Sequence, residues 1–159
     1  MEKLAQETGE MLREKGLTLG FVESATGGLL SSMITDVPGS SDYYKGSITS
    51  YSNQAKVNLA GVRQETLDKY GAVSPQVAEE MARGGRKALD VDICLSDTGI
   101  AGPGGATESK PVGLFYLGLS HKDRTFNRKL ILNGNRRQNR EAAAEAVLLW
   151  LKEYLCGLG

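Results

Sequence analysis

Histidine is almost absent from this chain. His121 is the only one in 159 residues, which also hold two cysteines and one tryptophan. It sits in the polar run H-K-D-R, where a turn is expected, so a Ser-His-Asp triad has no base and a His-built metal site has no ligands. Cys94 and Cys156 lie far apart and form no C-x-x-C pair, which removes thiol redox and zinc-ribbon motifs. Cys94, inside V-D-I-C-L, reads as a small core residue. Also missing are G-x-S-x-G, S-x-x-K, G-K-[ST] and H-E-x-x-H. A serine hydrolase built from this chain needs Lys or Tyr to activate its nucleophile.

An excess of either charge is lacking too. Lys plus Arg and Asp plus Glu stand at 19 each, so no global field favours nucleic acid or an anionic membrane, and neither is expected as a partner. Seven Lys or Arg residues and one Asp fall between His121 and Arg140. That cluster reads as the solvated face of an edge strand and loop, with room to meet a small anion such as phosphate. The N-terminus, M-E-K-L-A-Q-E-T-G-E, carries no apolar run of signal-peptide or membrane-span length, so a reducing cytoplasm is the expected location.

What is present suits one folded domain spanning 1–159: 40% hydrophobic and 24% charged residues, with no linker or repeat. Helical spacing runs from Met1 to Lys15 and stops at Gly16. Leu17 to Glu23 reads as a strand, Gly27 to Thr35 as a helix, Gly46 to Tyr51 as a second strand, and Asn53 as the cap of a short helix through Leu59. Ser74 and Pro75 open a helix from Gln76 to Leu89 despite Gly84 and Gly85. Val91 to Thr98 is a third strand. Val112 to Ser120 and Thr125 to Leu132 form a strand pair. The last helix, Arg137 to Leu155, carries one stripe of Ala143, Ala146, Val147, Trp150, Leu151 and Tyr154. This order predicts an α/β domain, a three-layer α/β/α sandwich with a mixed central sheet. A homo-oligomer is compatible with so small a domain.

Ligands of open α/β sheets bind beyond the carboxyl ends of strands, which points to three exits. The first, E-S-A-T-G-G, puts Ser24 before Thr26, Gly27 and Gly28. Two readings fit: a capped helix start with glycines for tight packing, or a nucleophile beside N–H groups that hold an anion. The second, Y-S-N-Q-A-K, offers Tyr51 and Lys56. A lysine in a first helical turn meets an opposing dipole, which suits a neutral base in a dry site, while an exposed lysine reaching into water fits as well. The third, T-G-I-A-G-P-G-G, is either a phosphate-cradling nest or a long turn.

Taken with G-A-V-S and K-P-V-G-L, these motifs are similar in order and spacing to the C-terminal domain family of competence-damage-inducible protein A, which includes a stand-alone nicotinamide-mononucleotide amidase. The resemblance implies hydrolysis of nicotinamide mononucleotide to nicotinate mononucleotide and ammonia, with a small-molecule nucleotide as substrate and no metal or organic cofactor. Carried over residue by residue, it implies Ser24 as nucleophile, Lys56 as base and Tyr51 as its helper. Thr26, Gly27 and Gly28 are then expected to hold the oxyanion, and Thr98, Gly99 and Gly102 to line the nucleotide pocket. Arg140, with Arg136 or Arg137, is the candidate for the 5′-phosphate. Ala25 stands where members often have Cys, and Gly104 where Asp is usual. Longer members carry a different N-terminal domain, so the stand-alone form is the one expected here. Two alternatives share the same residues: a nucleotide-binding domain that has lost the chemistry, and a hydrolase of another pyridine or purine amide.

Overall fold

The strands alternate between two apolar faces, as a sheet covered on both sides requires. The computed structural model describes residues 2–158. Helix α1 (Glu2–Lys15) precedes β1 (Leu19–Glu23), α2 (Leu29–Thr35), β2 (Tyr44–Thr49), α3 (Asn53–Ala60) and α4 (Gln64–Tyr70). Then follow α5 (Pro75–Leu89), β3 (Ile93–Gly99), β4 (Leu114–His121), β5 (Arg124–Ile131) and α6 (Arg136–Gly157). The sheet order is β2-β1-β3-β4-β5, with β1 parallel to β2 and β3, and the β3, β4 and β5 neighbours antiparallel. This is the expected α/β architecture with a mixed sheet.

Leu19 and Phe21 of β1 and Ile93 and Leu95 of β3 face one core cluster with α1, α2 and α6, including Leu12, Leu30, Val147 and Leu151. Val22 and Cys94 face the other with Val77 and Met81 of α5. The period of two carries Glu23 and Asp97 onto the first face, so the apolar rows become acidic where β1 and β3 end. That switch locates the site.

The element bounds differ from the sequence pattern in instructive ways. Thr18 binds Asp92 Oδ2 through its backbone N–H and its hydroxyl at 2.8 and 3.1 Å, and β1 begins after it. Ser52, not Asn53, caps α3, accepting from Ala55 N at 3.1 Å, so β2 ends at Thr49. Helix α2 starts at Leu29, because Gly27 and Gly28 take positive φ of 58° and 106°. Helix α4 had no clear apolar spacing and is an addition. In α6, Asn135 forms a capping box with Gln138, while Ala144, Leu148 and Leu155 widen the buried stripe. The expected helical position Met1 lies outside the described residues. No helix among the described residues is long and apolar enough to cross a membrane.

Gly84 is required by the approach of α5 to the end of α3. A Cβ there would lie 1.8 Å from Ala60 O. Gly84→Ala is therefore expected to lower the unfolding free energy by about 1–3 kcal/mol through overpacking. Urea unfolding reads this as a lower midpoint with an unchanged slope; an unchanged midpoint would show that the two helices are not held this close.

Candidate active site

The site begins with a carboxylate that organises its own turn. Glu23 Oε1 accepts from Thr26 Oγ1 at 2.7 Å, Gly28 N at 3.1 Å and Leu30 N at 2.9 Å. Glu23 Oε2 accepts from the Ser31 backbone N–H at 3.1 Å and the Ser31 hydroxyl at 2.7 Å. The start of α2 is thus satisfied from the strand before it, without a Ser or Thr cap. From α6, Arg140 donates to Ala25 O and Thr26 O, each at 3.0 Å, and ties the turn to the far layer. Ser24 sits on this clamped turn and is 7% exposed.

The second exit brings a buried lysine. Lys56 lies in the first turn of α3 and is 2% exposed. Its Nζ is 3.0 Å from Ser24 Oγ, and it donates to Ser50 O and Tyr51 O, also at 3.0 Å each. A neutral amine has two hydrogens and one lone pair. The two carbonyls can take only hydrogens, so in the neutral form the lone pair is left for the Ser24 hydroxyl. Burial pulls the Lys56 pKa below its ordinary value, against the opposing pull of Asp97. Asp97, at the end of β3, is fully buried. Burial pushes its carboxyl up to about 6; a Thr26 hydroxyl bond opposes the rise, the neighbouring Glu23 adds to it, and backbone N–H bonds from Thr26 and Ser24 oppose it.

A cavity of about 240 Å³ opens above Ser24 and Lys56, walled by Ala25, Asn53, Val73, Thr98, Gly99 and Arg136, with Tyr51 at its rim. The three strand exits therefore meet. Tyr51 is 62% exposed and its hydroxyl accepts from Arg136 Nη2 at 3.1 Å rather than touching Lys56. Arg136 Nη1 also donates to Gly102 O at 2.9 Å. Gly102 and Arg137 line an adjoining groove, with Arg137 ion-paired to Glu141 at 2.9 Å.

Thr26, Gly27 and Gly28 do not offer free N–H groups to this cavity. Their N–H bonds go to Asp97 Oδ1, Ser24 O and Glu23 Oε1. The glycines serve the turn's left-handed backbone instead. The Ala25 N–H has no acceptor among the described residues, and Ala25 lines the cavity. Its methyl joins a small cluster with Ala101, Phe115 and Ala143. Sequence reasoning assigned no role to Glu23 or Asp97; their signal was a carboxylate interrupting each apolar alternation at the strand end.

The family model for the CinA C-terminal domain matches residues 1–155. This chain belongs to the CinA C-terminal domain family. It is 48% identical over 155 residues to a Halothermothrix orenii relative named for competence-damage inducibility, covering 96% of this chain and 37% of that protein. It is 44% identical over 154 residues to a CinA-like protein of Endomicrobium trichonymphae, 97% of this chain and 36% of the relative. The CinA domain thus spans little more than a third of these relatives. Among solved structures, the Agrobacterium tumefaciens competence/damage inducible protein CihA superposes with a TM-score of 0.92 at 34% identity, covering 94% of this chain and 92% of that one. ComA of Klebsiella pneumoniae gives 0.95 at 28% identity, with 98% and 96% covered.

The buried amine of the CinA domain has a pH signature. Its folded pKa is lowered, so between that value and the ordinary 10.5 the unfolded chain binds the extra proton and stability rises with pH. Relative to Lys56→Met, the native chain should gain up to about 1.4 kcal/mol per pH unit in that window. Urea unfolding across alkaline pH measures it; parallel curves for the two chains would mean Lys56 titrates normally.

Proposed function

We propose that this CinA domain is an amidohydrolase that deamidates nicotinamide mononucleotide with Ser24 as nucleophile and Lys56 as base. The observation that carries the reading is the 3.0 Å approach of Lys56 Nζ to Ser24 Oγ with both neighbouring carbonyls placed to take the amine hydrogens. Lys56 accepts the Ser24 proton as Oγ bonds to the carboxamide carbon and the carbonyl π pair moves onto oxygen. The Ala25 N–H, the free donor next to the nucleophile, is assigned to that oxyanion in place of Thr26 to Gly28. When the intermediate collapses, the C–N bond breaks and Lys56 returns its proton to nitrogen, so ammonia leaves. Water then attacks the acyl-enzyme, giving its proton to Lys56 and its hydroxyl to the carbon. Lys56 finally reprotonates Ser24 and nicotinate mononucleotide departs.

The cavity size supports this substrate. A volume of about 240 Å³ suits an aromatic carboxamide beside Ser24, leaving the ribose phosphate to extend past Thr98 and Gly99 toward the rim. Arg136 stands at that rim and is the favoured phosphate partner. Arg137 extends the positive charge into the adjoining groove, and Gly102 fixes Arg136 through its carbonyl. Arg140 is spent on Ala25 O and Thr26 O, so its part is to hold the nucleophile turn. Tyr51 acts through its carbonyl on Lys56 and through its hydroxyl on Arg136.

Ammonia release from nicotinamide mononucleotide tests the reading. Ser24→Ala and Lys56→Met should each lower kcat/KM by about a thousandfold or more. A native chain that binds the nucleotide by calorimetry yet releases no ammonia would make this a binding domain, and equal rates for Ser24→Ala and the native chain would remove Ser24 as nucleophile.

A further inference from the structure

The polar cluster behind Ser24 is one hydrogen short. Thr26 Oγ1 lies 2.7 Å from Glu23 Oε1 and 2.5 Å from Asp97 Oδ2. A hydroxyl has one hydrogen and can give it to one carboxyl only. If both carboxyls were ionised, the other contact would set oxygen lone pair against lone pair among three side chains that are fully buried. A second hydrogen must therefore sit on a carboxyl.

The surrounding donors decide which one. Apart from Thr26, four donors converge on Glu23, the Gly28, Leu30 and Ser31 N–H groups and the Ser31 hydroxyl, so both of its oxygens are engaged as acceptors. Asp97 Oδ1 accepts from Thr26 N at 3.0 Å, the Ser24 backbone N–H is a second donor to this carboxyl, and Oδ2 meets Thr26 Oγ1. We propose that Asp97 is a neutral carboxylic acid in the resting site, its Oδ2–H donating to Thr26 Oγ1 and Thr26 donating in turn to Glu23 Oε1, and that in this form it positions the nucleophile turn. With the Thr26 hydrogen committed to Glu23, a bond that would favour ionised Asp97 is gone.

The consequence for Lys56 rests on the Ser/Lys reading above. The charged groups that act on Asp97 are Glu23 from β1 and Lys56 from α3; Arg140 of α6 reaches Thr26 O on the same turn, and β4 pairs Leu117 opposite Asp97. An acid at Asp97 with an amine at Lys56 holds the same number of protons as a carboxylate with an ammonium. The chain through Thr26 selects the first arrangement, and Ser24 keeps its base. Asp97 is a positioning residue: it touches Thr26 and the turn, not the substrate.

The test reads the proton directly. In Asp97→Asn the amide can donate to Thr26 Oγ1 and accept from Thr26 N, so the turn is kept. Infrared difference spectra of the native chain against Asp97→Asn at about pH 5.5, above the ordinary Asp value of about 3.9 and below the raised value of about 6, should contain a carboxylic-acid C=O band belonging to the native chain. Asp97→Ala should lose about tenfold or more in ammonia release, Asp97→Asn should recover most of it, and the acid limb of kcat/KM should stay in place. No such band, a band that survives Asp97→Asn and vanishes in Glu23→Gln, or an acid limb moved to lower pH in Asp97→Asn would each overturn the assignment. A native chain that releases no ammonia fails the amidase reading alone, because the infrared band decides the proton independently.

Discussion

A lysine amine held out of water against a serine hydroxyl is the contact on which the rest of this structure depends. Lys56 is 2% exposed and its Nζ has three oxygens at 3.0 Å, two of them carbonyls. An ammonium in that setting suffers a desolvation cost that a neutral amine avoids, so burial itself favours the neutral form. The same burial is a strain on stability, and the fold supplies it by putting the amine at the start of a helix whose cap is made by Ser52. Close packing at Gly84 holds the far end of α3 on α5.

Around this contact, charge is managed in layers. Glu23 uses its carboxylate to satisfy the backbone at the start of α2, which spares the turn any exposed cap. Arg140 crosses from α6 to hold the carbonyls of Ala25 and Thr26, fixing the turn from its other side. Asp97 lies beneath both, and with Thr26 as intermediary the two acids form one hydrogen-bonded unit. Ser24 is thus positioned by residues that do not reach the cavity. Ala25 packs against Ala101, Phe115 and Ala143 while lining the same cavity as Lys56.

Much of this was legible from residues alone, for physical reasons. Apolar periods placed the strands and the long last helix, and polar strand exits placed Ser24, Lys56 and Thr98 at one end of the sheet. Their meeting in one cavity followed from a strand order that puts β2, β1 and β3 side by side. Less legible was the division of labour. The glycines after Ser24 suggested a cradle for an anion, but a protein carboxylate five residues before Gly28 fills that place, and no local pattern tells a bound acid from a bound ligand. The arginines were indistinguishable in sequence; α6 geometry sends Arg136 to the rim, Arg137 to Glu141 and Arg140 to the turn. Ser52 rather than Asn53 as the cap was a one-residue choice between two good cap formers.

The central claim is that Lys56 is a neutral amine when the site works. Selective isotope labelling of lysine side chains, with Lys56→Met to assign the signal, would let magnetic resonance follow its titration in the native chain. The account predicts a Lys56 signal that changes at a pH clearly below the other lysines, whose ordinary value is about 10.4. A Lys56 signal that titrates with the rest, or above them, would contradict it.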